Sequence, residues 1–374
     1  MSVKKSILGL IFASMHDEAV IDLTKKRTMG SIPFAGRYRL IDFPLSNMVN
    51  SGIKEVGVIT KSNYGSLLDH LGSGREWDLS SKHGGLHLLP PFSHVDSGIY
   101  RGRLEALNGV WDFVEHSSAE YVLMSDCDVV TTIDYRKVVD YHVSSEADIT
   151  VVCGKYAYDS SKNQSATVFG MDEKGRINDV MINPQISGEC CIGLGMFVVS
   201  KAFLKDIVVA CASRGQYSFA KDILQARKDD FKIMAYEHDG YFSKIDTINA
   251  YYEANMELLN TENRNNLFIK SSPVYTKIRD NGPVKFGLES EIKNSLIADG
   301  CVIEGKVENC VLCRGVKIGK DSVVKDCVLM QDTVIGDKCR INSIIADKNV
   351  EIGDEKVLTG SETYPLYIGK KAKI

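Results

Sequence analysis

An α/β domain with a mostly parallel sheet, followed by a parallel β-helix, is the architecture this sequence predicts. Three observations carry that reading. Short apolar runs alternate with helix-patterned stretches from the start to about residue 262. Apolar pairs then recur about every six residues beyond about residue 291. Between them, residues from about 263 to 290, with Pro273 and Asp280-Asn-Gly-Pro283, read as a linker.

The first run, Ile7 to Ala13, suits a buried strand. In α/β chains that bind nucleotides, the turn after this strand is normally glycine-rich, because glycine lets backbone N–H groups approach phosphate closely. Here the turn is Ser14, Met15, His16, Asp17 and Glu18, with no glycine. Two carboxylates stand where a triphosphate needs neutral or positive partners. Glu55 to Thr60, Ala119 to Ser125, Asp148 to Cys153 and Gly195 to Val199 are further central strands. Helical patterns span Arg103 to His116 and Lys137 to Ser145. Alternation of this kind implies helices on both faces of the sheet and ligands beyond the carboxyl ends of the strands.

In the second region the pairs Leu296-Ile297, Val302-Ile303, Val311-Leu312, Val323-Val324, Val328-Leu329, Val334-Ile335 and Ile344-Ile345 mark successive sides of a solenoid. Gly305, Gly315, Gly319, Gly336, Asp337 and Gly353 fall between them as turn formers. Each coil buries its apolar ladder against the next. Acyltransferases built on such coils place a catalytic histidine there, and no histidine follows His238. The coils therefore read as a structural and assembly element.

Composition narrows the classes. At 374 residues with 44% hydrophobic and 25% charged residues, the chain suits two ordinary globular domains. A net charge of −4 offers no general attraction to nucleic acid or anionic membrane. Lys4-Lys5 precedes an apolar run too short for a signal peptide, and Asp17-Glu18 follow at once. No run approaches the roughly 20 apolar residues of a membrane span. The expectation is a cytoplasmic protein. The ten cysteines are scattered, and Cys310-Val-Leu-Cys313 is the sole CxxC spacing, so they read as small buried residues rather than zinc ligands.

Several motifs are more specific: Asp22-Leu-Thr-Lys-Lys-Arg27, Gly36-Arg-Tyr-Arg-Leu-Ile-Asp-Phe-Pro-Leu-Ser-Asn47, Asn50-Ser-Gly-Ile53, Val58-Ile-Thr60, Tyr100-Arg-Gly102, Phe219-Ala-Lys-Asp-Ile223 and Thr247 to Met256. They are the clearest carriers of a similarity that covers nearly the whole chain, which resembles the glucose-1-phosphate adenylyltransferase (ADP-glucose pyrophosphorylase) family. That resemblance implies a Rossmann-like nucleotidyltransferase domain, a left-handed hexapeptide β-helix, and attack of a sugar 1-phosphate on the α-phosphate of ATP. Such transfers depend on positioning and charge neutralisation. The family supplies a glycine loop and a lysine for the triphosphate, a lysine for the sugar phosphate, and two aspartates for Mg²⁺.

Position by position, this chain departs. The loop glycines are replaced by Ser14, Met15 and Asp17, and the loop arginine by Ala19. The triphosphate lysine is Met29, followed by Gly30 in place of proline, and the sugar-phosphate lysine before Pro184 is Asn183. Asp126 matches the first metal aspartate; Lys244 stands at the second, with Asp246 two residues on as a candidate displaced ligand. Losing one preorganised charge partner costs about 10²–10³ in rate, so five departures argue against catalysis here. An ammonium at Lys244 suggests a direct pair with Asp126 in the metal's place.

The departures resemble those of the family's non-catalytic or weakly catalytic regulatory subunits. They imply a role in glycogen biosynthesis: a subunit in a hetero-oligomer, a tetramer, that alters a catalytic partner's substrate affinity and effector response, with no cofactor of its own. The alternatives are an active glucose-1-phosphate adenylyltransferase using Mg²⁺ and a divergent loop, and a purely structural assembly protein. Lys26, Arg27, Arg37 and Arg39 lie in the segment that contributes to the family's effector site between the domains, and so are candidates for binding a phosphorylated sugar or another anion. Arg101 and Arg103 are candidates for anion or partner contact. Trp77, Trp111, Tyr251 and Tyr252 are expected to pack helices rather than stack on adenine.

Overall fold

The computed structural model describes residues 5–81, 84–91, 100–163, 165–361 and 363–374. Lys4, of the N-terminal lysine pair, lies outside them. The first apolar run forms the strand Ile7–Phe12 at the centre of a nine-stranded sheet. It runs parallel to Glu55–Ile59 on one side and Tyr121–Asp126 on the other, and Gly85–Leu89 extends the parallel part. These strands are covered on both faces, which is why they read as continuous rather than alternating apolar runs.

Beyond Tyr121–Asp126 the sheet becomes antiparallel. Ser187–Ser200 pairs with that strand and with the long Ile149–Asp159, and Ile233–Glu237 returns parallel to the latter. The stretch read as one helix from Arg103 to His116 is two, Arg103–Gly109 and Trp111–His116. Gly109, a poor helix former, closes the first, and Val110 leaves helical geometry at φ −114°, ψ 14°. Trp77 and Tyr251 are buried in the core, as their packing role requires.

The C-terminal region is a three-sided coil whose sides are parallel sheets of five strands each. Ile303, Ile318, Ile335 and Ile352 stack along one side, and Val307, Val324 and Ile341 along the next. On these sides the outward neighbours are mainly charged, such as Lys306, Lys317 and Arg340.

The third side differs, and its sequence says why. In the pairs Val311-Leu312 and Val328-Leu329, and in Ile345-Ala346, both residues are buried. Leu312, Leu329 and Ala346 face the coil interior, whereas Val311, Val328 and Ile345 join the core of the first domain. One apolar cluster thus crosses the domain junction. The contact is pinned by Arg27, whose guanidinium reaches Asp347 at 2.5 and 2.6 Å with both side chains 2% exposed. Tyr252 adds a hydrogen bond to the Asp326 carbonyl, and Tyr367 one to the Asp22 carbonyl.

Candidate functional site

The carboxyl ends of Ile7–Phe12 and Tyr121–Asp126 lie side by side, with Phe12 in register with Asp126. The turn after the first strand closes on itself. Its short helix Asp17–Val20 places the Asp17 carboxylate on the Met29 backbone N–H at 2.7 Å, and the Thr24 hydroxyl donates to the Asp17 carbonyl at 2.6 Å. Burial pushes the Asp17 carboxyl up to about 7, against the lowering effect of the Met29 N–H and Lys61. Glu18 faces solvent. The turn's own carboxylate is therefore engaged with a backbone N–H of the following short helix, that of Met29. Ser14 accepts from the Lys61 N–H at 3.3 Å, and Met29 is core, 1% exposed.

Below the turn lies a charge cluster. His16 Nε2 is 3.1 Å from Asp126 Oδ2 and 3.7 Å from Asp128 Oδ2. Arg103 Nη2 donates to both Asp126 oxygens, at 2.9 and 2.7 Å. Lys244 Nζ meets Asp128 at 3.0 Å. The expected Lys244–Asp126 pair is thus replaced by two other pairs. The reason is strand register: Phe242–Lys244 runs antiparallel to Val129–Thr131 with Lys244 opposite Val129, which sets the ammonium beside Asp128. Burial raises the Asp126 carboxyl, but Arg103 and then His16 outweigh it and hold it below the usual range. Burial likewise opposes charge on Lys244 and His16, and in both Asp128 leads the attraction that keeps them above their ordinary values.

Gly195 explains its own position here. It has φ +68°, and a Cβ on it would lie 2.8 Å from Asp126 Oδ2. The remaining cavity, about 230 Å³, is lined by Met15, His16, Phe169, Phe197, Phe219 and Lys244 among others.

Other expected site residues lie elsewhere. Asn183, in a left-handed turn at φ 48°, exchanges hydrogen bonds with Ala166: its amide oxygen accepts from the Ala166 N–H and its own N–H donates to the Ala166 carbonyl, both at 2.8 Å. It is a turn residue, not a substrate contact. Asp246 follows the strand rather than continuing it, and its carboxylate accepts from the Ser165 N–H at 3.3 Å. Arg103, expected to meet an anion or partner, is 7% exposed and committed to Asp126. Arg101 is exposed and paired with Glu105.

A second concentration of charge lines a narrow cleft at the domain junction: Arg37, Arg39, Arg279, Arg314 and Lys348, with His70 at its wall. Arg37 and Arg314 share one carboxylate, Asp299, at 2.8 and 3.2 Å. Among the described residues, none of Arg39, Arg279 and Lys348 has a carboxylate within ion-pair distance. Arg39 instead donates to the Ser66 carbonyl at 2.6 Å. Burial, then Arg39 and Arg27, push the Lys348 ammonium down to about 7. Of the residues expected here, Arg37 and Arg39 line the cleft. Arg27 is sealed against Asp347 behind it, and Lys26 is exposed outside it.

Residues 11–261 match the nucleotidyl transferase family model, and residues 283–363 match the GlmU-like C-terminal hexapeptide model, which agrees with the left-handed β-helix that the resemblance implied. The chain is 35% identical over 365 residues to the glycogen biosynthesis protein GlgD of Bacillus subtilis, covering 97% of this chain and 96% of that one. It is 33% identical to a glucose-1-phosphate adenylyltransferase of Clostridium perfringens, over 95% of this chain and 96% of the relative, and 34% identical to that of Thermosipho africanus, over 86% and 78%. The chain belongs to the glucose-1-phosphate adenylyltransferase family.

Family membership makes a divalent cation at Asp126 the expectation to test, and the residues do not fit one. His16, Asp126 and Asp128 do bring ligand atoms within 4.8 Å of one another. However, both Asp126 oxygens are engaged by Arg103, and the buried Lys244 sits on Asp128. At an effective dielectric of about 20, a doubly charged ion roughly 4 Å from a guanidinium is opposed by about 8 kcal/mol. Sequence reasoning missed Asp128, Arg279, Arg314 and Lys348. Asp128 was within reach, two residues past Asp126. The other three lie in the linker and coils, where nothing local marks them as facing Arg39.

Proposed function

We propose that the chain is a non-catalytic or weakly catalytic regulatory subunit of a hetero-oligomeric ADP-glucose pyrophosphorylase in glycogen biosynthesis. One observation carries the reading: the Asp17 carboxylate, in the turn where a triphosphate would have to be cradled, is turned inward onto the Met29 N–H. Binding a triphosphate there would bring polyanion against carboxylate, with no lysine at Met29 to answer it and none at Asn183 for the sugar phosphate. The basic cleft supports the regulatory half of the proposal. It leaves three cations without carboxylate partners at a junction between domains, where an anionic effector such as a phosphorylated sugar gains charge-assisted hydrogen bonds. An effector held there acts on a catalytic partner by favouring one conformation of the assembly.

The test is ADP-glucose synthesis by the purified chain, alone and mixed with a catalytic subunit from the same genome. No synthesis alone, together with an altered substrate affinity or activation curve in the mixture, is the expected result. Robust turnover by the chain alone, lost in Asp126→Ala, refutes the regulatory reading and identifies an active enzyme with a divergent loop. A mixture indistinguishable from the catalytic subunit leaves only the structural role.

A further inference from the structure

Arg103 is held by more than its ion pair. Its guanidinium carbon lies 4.6 Å from the Phe12 ring centre, 4.7 Å from that of Phe197 and 6.0 Å from that of Phe219, rings from three separate segments of the chain. The preceding Gly102 fixes the entry of the segment: a Cβ there would lie 2.3 Å from the Tyr217 carbonyl oxygen. The Leu104 N–H donates to that same carbonyl at 3.1 Å. A guanidinium caged by rings is weakly hydrated and bound to one orientation. Its Nη2 spans both Asp126 oxygens, while Nη1 and Asp128 Oδ1 are buried without hydrogen-bond partners among the described residues.

We infer that Arg103 is a built-in counter-ion that takes the seat of a divalent cation at Asp126, so that this chain needs no metal to hold the site and excludes one while Arg103 is in place. The inference rests on the non-catalytic reading above and adds what keeps the site closed. A magnesium ion requires several oxygen ligands with near-octahedral geometry. Here the two carboxylates are instead shared among Arg103, Lys244 and His16, whose N–H and ammonium groups take three of the four carboxylate oxygens. The set that remains when Arg103 and Lys244 are both removed is His16, Asp126 and Asp128, one imidazole and two carboxylates, which suits a first-row transition metal such as Mn²⁺. Exclusion is therefore the work of Arg103 on Asp126, backed by Lys244 on Asp128, and the latent ligands are already assembled.

The experiment uses the full chain and Mn²⁺ as probe, with bound ion read by electron paramagnetic resonance and by the shift in melting temperature on adding the ion. Wild type should show no saturable binding and no shift. Arg103→Met with Lys244→Met, which replaces both cations by apolar side chains, should gain one saturable site and a melting temperature that rises with Mn²⁺, whereas Lys244→Met with Arg103 in place should gain neither. Asp126→Asn in the double background should abolish both. Saturable Mn²⁺ binding that Asp126→Asn removes, in wild type or in Lys244→Met, overturns the inference, and so does a double variant that melts cooperatively but ignores Mn²⁺. If the double variant folds only with Mn²⁺ present, the inference stands. None of these readouts uses ADP-glucose synthesis, so the regulatory reading is tested separately by the mixing experiment.

Discussion

The two charged regions of this molecule are solved in opposite ways. At the strand ends, Asp126 and Asp128 are matched by Arg103, Lys244 and His16 inside a small, ring-lined space. At the domain junction, Arg39, Arg279 and Lys348 converge without carboxylates to answer them. Buried charge is costly unless paired, so the first region is finished within the chain, whereas in the second the buried Arg39 and half-buried Lys348 lack a carboxylate. On the proposed reading, the difference separates a site that has stopped binding from one that an anion completes.

The largest effect should come where a closed pair is opened. Asp347→Ala leaves Arg27 buried at the junction without its carboxylate, at a cost of about 3–5 kcal/mol and a clear fall in melting temperature. Replacing both, Arg27→Met with Asp347→Leu, should recover most of that loss, because an apolar pair leaves no charge unanswered. A double variant as unstable as the single one would mean the junction depends on the ion pair itself.

The open region should respond in affinity rather than stability. Arg39→Ala or Lys348→Gln should each weaken binding of inorganic phosphate, measured by calorimetry, by about 1.5–3 kcal/mol, roughly 10- to 100-fold. The pH dependence has a definite sign. Lys348 titrates at about 7 because burial, Arg39, Arg27 and Arg279 disfavour its charge. An arriving anion favours that charge, so with sulfate, whose own charge is constant in this range, binding takes up a proton and affinity falls as pH rises from 6 to 8. Lys348→Arg should bind with the dependence flattened.

A smaller effect returns to the closed region. The Asp17 carboxyl sits at about 7 in the fold, against an ordinary value of 3.8. A carboxyl raised on folding contributes stability at low pH and loses it as pH passes the folded value. Asp17→Asn keeps an acceptor for the Met29 N–H without the charge. It should match wild type near pH 4 and gain on it as pH rises toward 7, reaching about 1–2 kcal/mol at pH 8, allowing for solvent screening. Equal melting temperatures at pH 4 and pH 8 would place the Asp17 charge in contact with water and reopen the turn to phosphate.

How much of this the sequence disclosed follows from range along the chain. The strand at Ile7–Phe12 and the coil ladder were legible because each is a periodic pattern in consecutive residues, whereas the junction face emerged only in the structure. The doubly apolar pairs Val311-Leu312 and Val328-Leu329 carry the coil interior and the docking face in the same dipeptide. The degenerate loop was legible as an absence of glycine. The pairing within the cluster was not, because which carboxylate Lys244 meets is decided by its register against Val129–Thr131. Nor was the cleft, since Arg39, Arg279 and Lys348 meet only after the coil has docked. Local pattern gives elements; the partners of a charge are set by how the elements pack.

Arg101 and Arg103 bring the contrast down to one tripeptide. Both flank Gly102, and sequence alone offers them the same fate. Arg103 is turned inward to Asp126, whereas Arg101 is exposed, pairs with Glu105 one helical turn along, and lies 4.8 Å from the Tyr217 ring centre. Exposed pairs of this kind are screened by solvent and by salt. Arg101→Ala should therefore leave the melting temperature and the phosphate affinity of the junction cleft unchanged. In the mixed-subunit assay it becomes informative. A normal monomer whose response with the catalytic partner is altered would make Arg101 a contact between subunits, and the closed end of the sheet would then be a surface for protein rather than for nucleotide.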